Sequence, residues 1–195
     1  AIALMHVGQA QDLIHVTKQH GKTHYMQTAG ARGLHPAPSV ASFWSDDFSN
    51  SATWTVSNQT GNSDNWGIGT AVPSGSFPIP AITSTSAANG YALFDSDLLC
   101  SGDQIADLTT ANSINCSAEA SVILSFEQQY RRFDDSTFVF VSIDNVNWTK
   151  FPVNEAFANN QTSATNPEVI TVDISSVAAN QATVWIRFVF WSPST

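Results

Sequence analysis

Two pairs of aspartates are the residues of this sequence best suited to bind a metal ion. Asp95 and Asp97 flank Ser96 directly after an apolar stretch, and Asp46 and Asp47 are adjacent near the predicted first strand of the body. Calcium takes about six to eight oxygen ligands, so alternating aspartates on a loop can supply part of its shell. The alternative is that they cap solvated turns through bonds to the backbone. The pattern favours calcium.

Catalytic chemistry has few candidates. All five histidines precede residue 40, so no histidine base is available in the rest of the chain. There is also no Gly-x-Ser-x-Gly nucleophile elbow and no phosphate-cradling loop. A glycosidase needs only two carboxylates, which Glu127 with Asp134, Asp135 or Asp95 can provide, but no spacing singles out such a pair. We therefore expect a protein that is not an enzyme.

Trp66 and Arg131 are the candidate ligand-binding residues. Trp66 lies in a turn rich in Gly and Asn, where its flat ring can stack on a sugar, although most tryptophans of the chain should be core. Arg131 can clamp a ligand carboxylate. The pattern favours the simpler role for Arg131, a surface salt bridge with the nearby Glu127, Asp134 or Asp135.

The cysteines and the first residues indicate an oxidising compartment. Cys100 and Cys116 lie 16 positions apart, and a disulfide between them would contribute about 3 kcal/mol, with two reduced thiols as the alternative. Residues 1–10 read as the remnant of a secretory signal peptide, with Gly8 and Ala10 spaced for cleavage after Ala10. A buried or amphipathic helix is the alternative. We expect a secreted or cell-surface protein.

Charge and hydropathy argue against two kinds of partner, nucleic acids and membranes. The net charge is −9, and because Lys18, Lys22 and Arg32 outnumber Asp12 before residue 41, the rest of the chain carries −11. Such a surface repels phosphate backbones and anionic lipids, so we expect no nucleic-acid partner. No apolar run reaches the roughly 18 residues of a spanning helix, so we expect no membrane insertion.

Strands must position these side chains. Alternating or continuous apolar and β-branched residues, separated by turn-formers, predict an all-β fold, a two-sheet antiparallel β-sandwich of jelly-roll type. The clearest predicted strands are 122–130, 137–143, 169–172 and 183–191. A composition change near residue 40 divides the chain into residues 1–10, a leader or linker at 11–40, and a β-sandwich body at 41–195. Within the body, residues 57–90 form a long polar tract, either a functional loop or a plain surface excursion.

Several motifs, in order along residues 43–191, are similar to a known family. They are Asp46-Asp-Phe48 followed by Trp54, then Asn65-Trp-Gly67, and above all the segment Asn-Gly-Tyr-Ala-Leu-Phe-Asp-Ser-Asp at 89–97. Together they resemble the cleaved-adhesin or MAM-like jelly-roll domains of type IX secreted Bacteroidetes surface proteins, whose folds are concanavalin-like or galactose-binding-like.

The resemblance implies a ligand set and a role. Family members hold a structural calcium where the opening strand, the loop after Phe94 and the closing strand meet, which implicates Asp46 or Asp47 with Asp95 or Asp97. The closing strand is expected to be missing here, which predicts oligomerisation through an exposed sheet edge. The implied function is adhesion to a glycan or an extracellular protein. The alternative is an accessory domain of a larger secreted hydrolase or protease.

Overall fold

The chain forms two antiparallel sheets packed face to face, which confirms the predicted all-β sandwich. The computed structural model describes residues 2–8, 42–99 and 102–193. In chain order, their elements are β1 (Ile2–Gly8), β2 (Ser42–Asp46), β3 (Trp54–Asn58), β4 (Gly67–Gly69), β5 (Tyr91–Leu93), α1 (Ser96–Leu99), β6 (Gln104–Thr110), β7 (Ile123–Gln128), β8 (Ser136–Ser142), β9 (Thr149–Pro152), β10 (Glu168–Asp173), α2 (Ser175–Ala178) and β11 (Trp185–Ser192).

The first sheet has the order β10-β7-β1-β5-β4, with β2 also paired to β1, and the second has the order β3-β6-β11-β8-β9. The four strands predicted most clearly from the sequence appear as β7, β8, β10 and β11. In β10, half-buried and exposed side chains alternate along the strand, as the two-residue period of a strand with one packed face requires. Among the described residues, no helix is long and apolar enough to span a membrane.

The core lies between the sheets and is dominated by aromatic rings. Phe126 of the first sheet meets Phe188 of the second at a centroid distance of 5.0 Å, edge to face. Phe188 also lies 6.4 Å from Trp54, whose ring stacks on Phe48 at 5.0 Å. These side chains are all at most 6% exposed, so each contributes about 2 to 3 kcal/mol through burial. The contacts fix how the two sheets face each other.

The first strand occupies a position that was not predicted for it. Residues 1–10 were expected to be a signal-peptide remnant outside the folded body, whereas β1 lies inside the first sheet. Its backbone pairs with β7 from Ile2↔Gln128 to Gly8↔Ile123, and with β2 on the other side. A short apolar segment fits both the pattern of a signal peptide and that of a buried strand, because each requires only consecutive nonpolar residues. Cleavage after Ala10 stays a prediction, and the predicted leader at 11–40 lies outside the described residues.

Candidate binding site

A cleft opens between the sheets at one end of the sandwich. It forms where β5, β7 and β11 end and where β6 and β8 begin, and it encloses about 170 Å³. Both sheets contribute aromatic rings to its lining: Trp66, Phe94, Phe126, Phe188 and Phe190. Around these rings lie polar groups from the strand ends and loops, including Asp95, Asp97, Gln104, Arg131 and Asp135. The cleft therefore combines an apolar floor with a polar rim.

The aromatic rings of the floor pack on one another. Phe94 stacks on Phe190 with the centroids 4.3 Å apart, and Trp66 lies 5.7 Å from Phe94. The indole N–H of Trp66 donates to the carbonyl of Ala106 at 3.1 Å, and only 7% of the residue is exposed. Trp66 therefore lines the cleft as part of the core rather than as an exposed stacking platform, and its role in ligand binding stays a prediction.

Arg131 crosses the rim of the cleft. Its guanidinium donates to the carbonyl of Phe77 at 2.6 Å and lies 3.4 Å from Oδ2 of Asp97. The sequence suggested Glu127, Asp134 and Asp135 as salt-bridge partners, whereas the observed partner comes from α1. Both members of the pair are about one quarter exposed, so their charge attraction adds at most about 1 kcal/mol. The bond from Arg131 to the carbonyl of Phe77 links the end of β7 to the loop that precedes β5.

Asp95 and Asp97 hold that loop in place. Asp95 accepts a bond from the backbone N–H of Ser74 at 2.7 Å, and Asp97 accepts one from the N–H of Phe77 at 3.2 Å. The backbone at Gly75 comes so close that a side-chain carbon at this position would lie 2.1 Å from Cβ of Asp97, so only glycine fits there. This part of the 57–90 tract is thus a docked wall of the cleft rather than a loose surface excursion.

Asp46 and Asp47 lie in a different part of the fold. Asp46 accepts bonds from the N–H of Phe48 and the indole of Trp54, and Asp47 accepts bonds from Ser49 and Asn89. Hydrogen bonds, chiefly from Ser49, lower the pKa of Asp47 below its usual 3.8. These aspartates meet the family-like 89–97 segment at its start, through Asn89, and not at Asp95 or Asp97.

The structure therefore does not gather the four aspartates into one ligand set. Within residues 42–99 and 102–193, no group of three or more His, Cys, Asp or Glu side chains is placed to hold a metal ion. Their carboxylate oxygens instead accept N–H bonds, which is the turn-capping role that was the alternative. The calcium site stays a prediction.

Buried acids near the cleft serve structural roles. Tyr130 donates its hydroxyl to Oδ1 of Asp135, and the N–H of Phe133 donates to Oδ2 at 3.0 Å. Burial raises the pKa of both Tyr130 and Asp135. Glu127 accepts from the N–H and hydroxyl of Thr85 at 2.8 and 3.1 Å. The carboxylates considered for a glycosidase thus hold neighbouring loops.

Phe133 is a rim residue that was not predicted from the sequence. It stands among charged residues in the turn between β7 and β8, lines the cleft, and is 61% exposed. A lone aromatic side chain in a charged turn is the signal that identifies it in the sequence. Phe77, on the opposite loop, also lines the cleft and is 70% exposed.

Cys116 is not one of the residues that line the cleft. Its side chain is buried, and burial raises the pKa of the thiol to about 11. The proposed partner, Cys100, lies outside the described residues, so the disulfide stays a prediction.

Comparison with known proteins finds no matching family model, no curated protein and no solved structure with significant similarity to this chain. The likeness to cleaved-adhesin domains therefore rests on the residues quoted above.

Proposed function

We propose that this chain is a non-catalytic binding module, secreted or displayed at a cell surface, that takes a glycan or an extracellular protein as its ligand in the cleft between the sheets. Ligand sites are typically concave and mostly apolar, with a few polar groups that orient the ligand. The packed aromatic floor and the polar rim of this cleft have that composition.

The exposure of Phe77 and Phe133 is the observation that carries the proposal. A globular protein gains by burying such rings, so large apolar side chains left beside a cavity indicate a surface that another molecule covers. The two rings are 70% and 61% exposed and come from separate loops that both line the cleft. A ligand that enters the cleft can cover both at once.

The engaged carboxylates support a role in binding rather than catalysis. Both oxygens of Asp135 accept hydrogen bonds, from Tyr130 and Phe133, and Oε2 of Glu127 accepts two from Thr85. These bonds leave the two carboxylates poorly suited to activate water or protonate a leaving group. The net charge of −9 favours neutral or basic ligands over phosphates.

The test is a binding screen of the full chain against a glycan array and against displayed random peptides, each with calcium and with a chelator. The variants Phe77→Ser and Phe133→Ser should weaken binding at least fivefold. Val146→Ser is the matched control, because Val146 is 75% exposed and does not line the cleft.

Two outcomes contradict the proposal. Binding that is unchanged in both phenylalanine variants places the ligand elsewhere. No binding to any glycan or peptide, by a protein that melts cooperatively, favours the accessory role in a larger secreted hydrolase or protease.

A further inference from the structure

We propose that a second cavity of this protein, separate from the cleft, binds a lysine side chain presented by another polypeptide. The cavity encloses about 230 Å³. Its walls come from β4, from the segment after β4, from the end of β5 and from α1. Because β4 is the last strand at one edge of its sheet, a polypeptide can approach the cavity from the side. This site goes beyond the function proposed above and does not depend on what the cleft binds.

Asp64 is a buried carboxylate in the wall of this cavity. Only 5% of the residue is exposed. Its Oδ2 accepts one side-chain hydrogen bond, from the amide of Gln104 at 2.7 Å. A carboxylate removed from water is costly unless it is paired with a cation or accepts several hydrogen bonds. One neutral amide is a poor replacement for water, so Asp64 calls for a positive partner.

The basic side chains of residues 42–99 and 102–193 all contact other groups. Arg131 and Arg187 each pair with a different aspartate, Arg132 donates to backbone carbonyls, and Lys150 lies over an aromatic ring. None of these four side chains lines the cavity. The described part of the chain therefore supplies no cation to Asp64, and a bound molecule can supply one.

Asp95 adds a second carboxylate to the same cavity, and its Oδ2 accepts the N–H of Ser74 at 2.7 Å. Among the described residues, Oδ1 of Asp95 and Oδ1 of Asp64 have no hydrogen-bond donor. A guanidinium binds best to both oxygens of one carboxylate, whereas the three N–H donors of an ammonium can be shared between separate groups. The free oxygens therefore favour lysine over arginine.

The remaining walls are largely apolar and suit the alkyl part of a lysine side chain. Ile68 and Leu93 line the cavity, and so do Val72 and Leu98, which are 60% and 57% exposed. Lysine buries its methylene chain along apolar surface while its ammonium stays with polar groups. A metal ion such as calcium needs about six or more oxygens, and the described residues place no group of three acidic, His or Cys side chains together. The composition therefore favours an organic cation.

The experiment titrates Nα-acetyl-lysine methylamide into the full-length protein labelled with ¹⁵N, and NMR follows the backbone amides. We expect saturable shifts at Gly67, Gly69 and Ala71, which line the cavity. The norleucine analogue keeps the alkyl chain but lacks the ammonium, so it should bind about tenfold more weakly. Calcium chloride alone should leave these amides unchanged.

Protein variants assign the charge to Asp64. Asp64→Asn keeps an acceptor for Gln104 but removes the charge, so it should weaken binding of the lysine derivative about tenfold. Without ligand, this variant should melt no lower than the unaltered protein, because a buried charge without a partner has been removed. Glu155→Gln is the matched control, since it removes one exposed negative charge outside the cavity and should leave binding unchanged.

A variant of the wall covers the case in which Asp64→Asn does not fold. Val72 is 60% exposed, so Val72→Ser should fold, and it should weaken binding about threefold through lost contact with the alkyl chain.

Four outcomes overturn this proposal: no saturable shift at the cavity amides, equal binding of the norleucine analogue, the same shifts with calcium chloride alone, or a lower melting temperature of Asp64→Asn. The last would show that Asp64 is a structural group already satisfied by its neighbours. n-Butylamine that binds as tightly as the lysine derivative would assign the site to free amines and also overturn it. Phe77→Ser and Phe133→Ser should not alter lysine binding, so failure of this site and failure of the proposed function are separately visible.

Discussion

Replacing Asp46 tests whether this aspartate is a structural hub rather than a calcium ligand. Its Oδ1 accepts bonds from the N–H of Phe48 at 2.8 Å and from the indole N–H of Trp54 at 3.0 Å, and its Oδ2 accepts the hydroxyl of Thr53 at 2.8 Å. Phe48 has a φ of 60°, a conformation that bulky residues rarely adopt, and its side chain is only 2% exposed. The bond from Asp46 therefore holds a strained turn that places a core ring.

The Asp46→Ala variant loses three hydrogen bonds and leaves the N–H of a buried indole without its acceptor. At about 1 kcal/mol for each bond, we expect the free energy of unfolding to fall by about 3 kcal/mol. For a chain of this size, that lowers the melting temperature by about 6 to 12 °C. Asp46→Asn retains one neutral acceptor and should lose about 1 kcal/mol.

Urea denaturation followed by tryptophan fluorescence measures these differences, since Trp54 itself reports on the turn. Asp47→Ala is the control: this neighbouring carboxylate bonds Ser49 and Asn89 at the surface, so its loss should be a small fraction of that of Asp46→Ala. Each variant is measured in calcium and in a chelator. Equal losses of stability in both alanine variants, or a loss in Asp46→Ala that occurs only in calcium, would contradict the structural role of Asp46.

Three further predictions concern burial. Phe188→Ala should lower the free energy of unfolding by about 3 to 5 kcal/mol, because it leaves a cavity beside Phe126. Val146→Ala at the surface should change it by less than about 0.5 kcal/mol. Urea titration of both variants measures the difference. Burial raises the pKa of Asp135 above 3.8, so the native state keeps a proton that the unfolded chain has released, and stability should fall as pH rises above about 4. Asp135→Asn should remove this part of the slope, and parallel slopes from pH 4 to 7 would contradict it. Cys116, with its pKa raised to about 11, should resist iodoacetamide at pH 8 in the native protein and react after unfolding; a thiol that reacts only after reduction would instead show that a disulfide is present.

The sequence alone was sufficient to predict the fold class and the main strands. Alternation of apolar and polar residues is a local property, and β7, β8, β10 and β11 formed where that pattern occurred. The same pattern could not assign β1, because a short apolar segment reads alike as a strand, a helix or part of a signal peptide. Its place in the sheet depends on pairing with β7, more than 100 residues away along the chain.

The candidate site was only partly predictable. Trp66, Asp95, Asp97 and Arg131 were identified by residue type and all line one cleft, and their roles in binding stay predictions. Arg131 meets Asp97 across 34 residues of chain, and Asp95 meets Ser74 across 21. Such pairings depend on how the sheets and loops pack, and no local spacing encodes them.

The sequence by itself determined the chemical character of this protein: an acidic surface, an aromatic core, strands with turns between them, and no histidine after residue 40. These follow from composition and from the two-residue period of a strand. Only the tertiary structure decided which carboxylates cap turns and which rings form the floor of the cleft. Those properties depend on contacts between residues far apart in the chain, which form only when the two sheets close on each other.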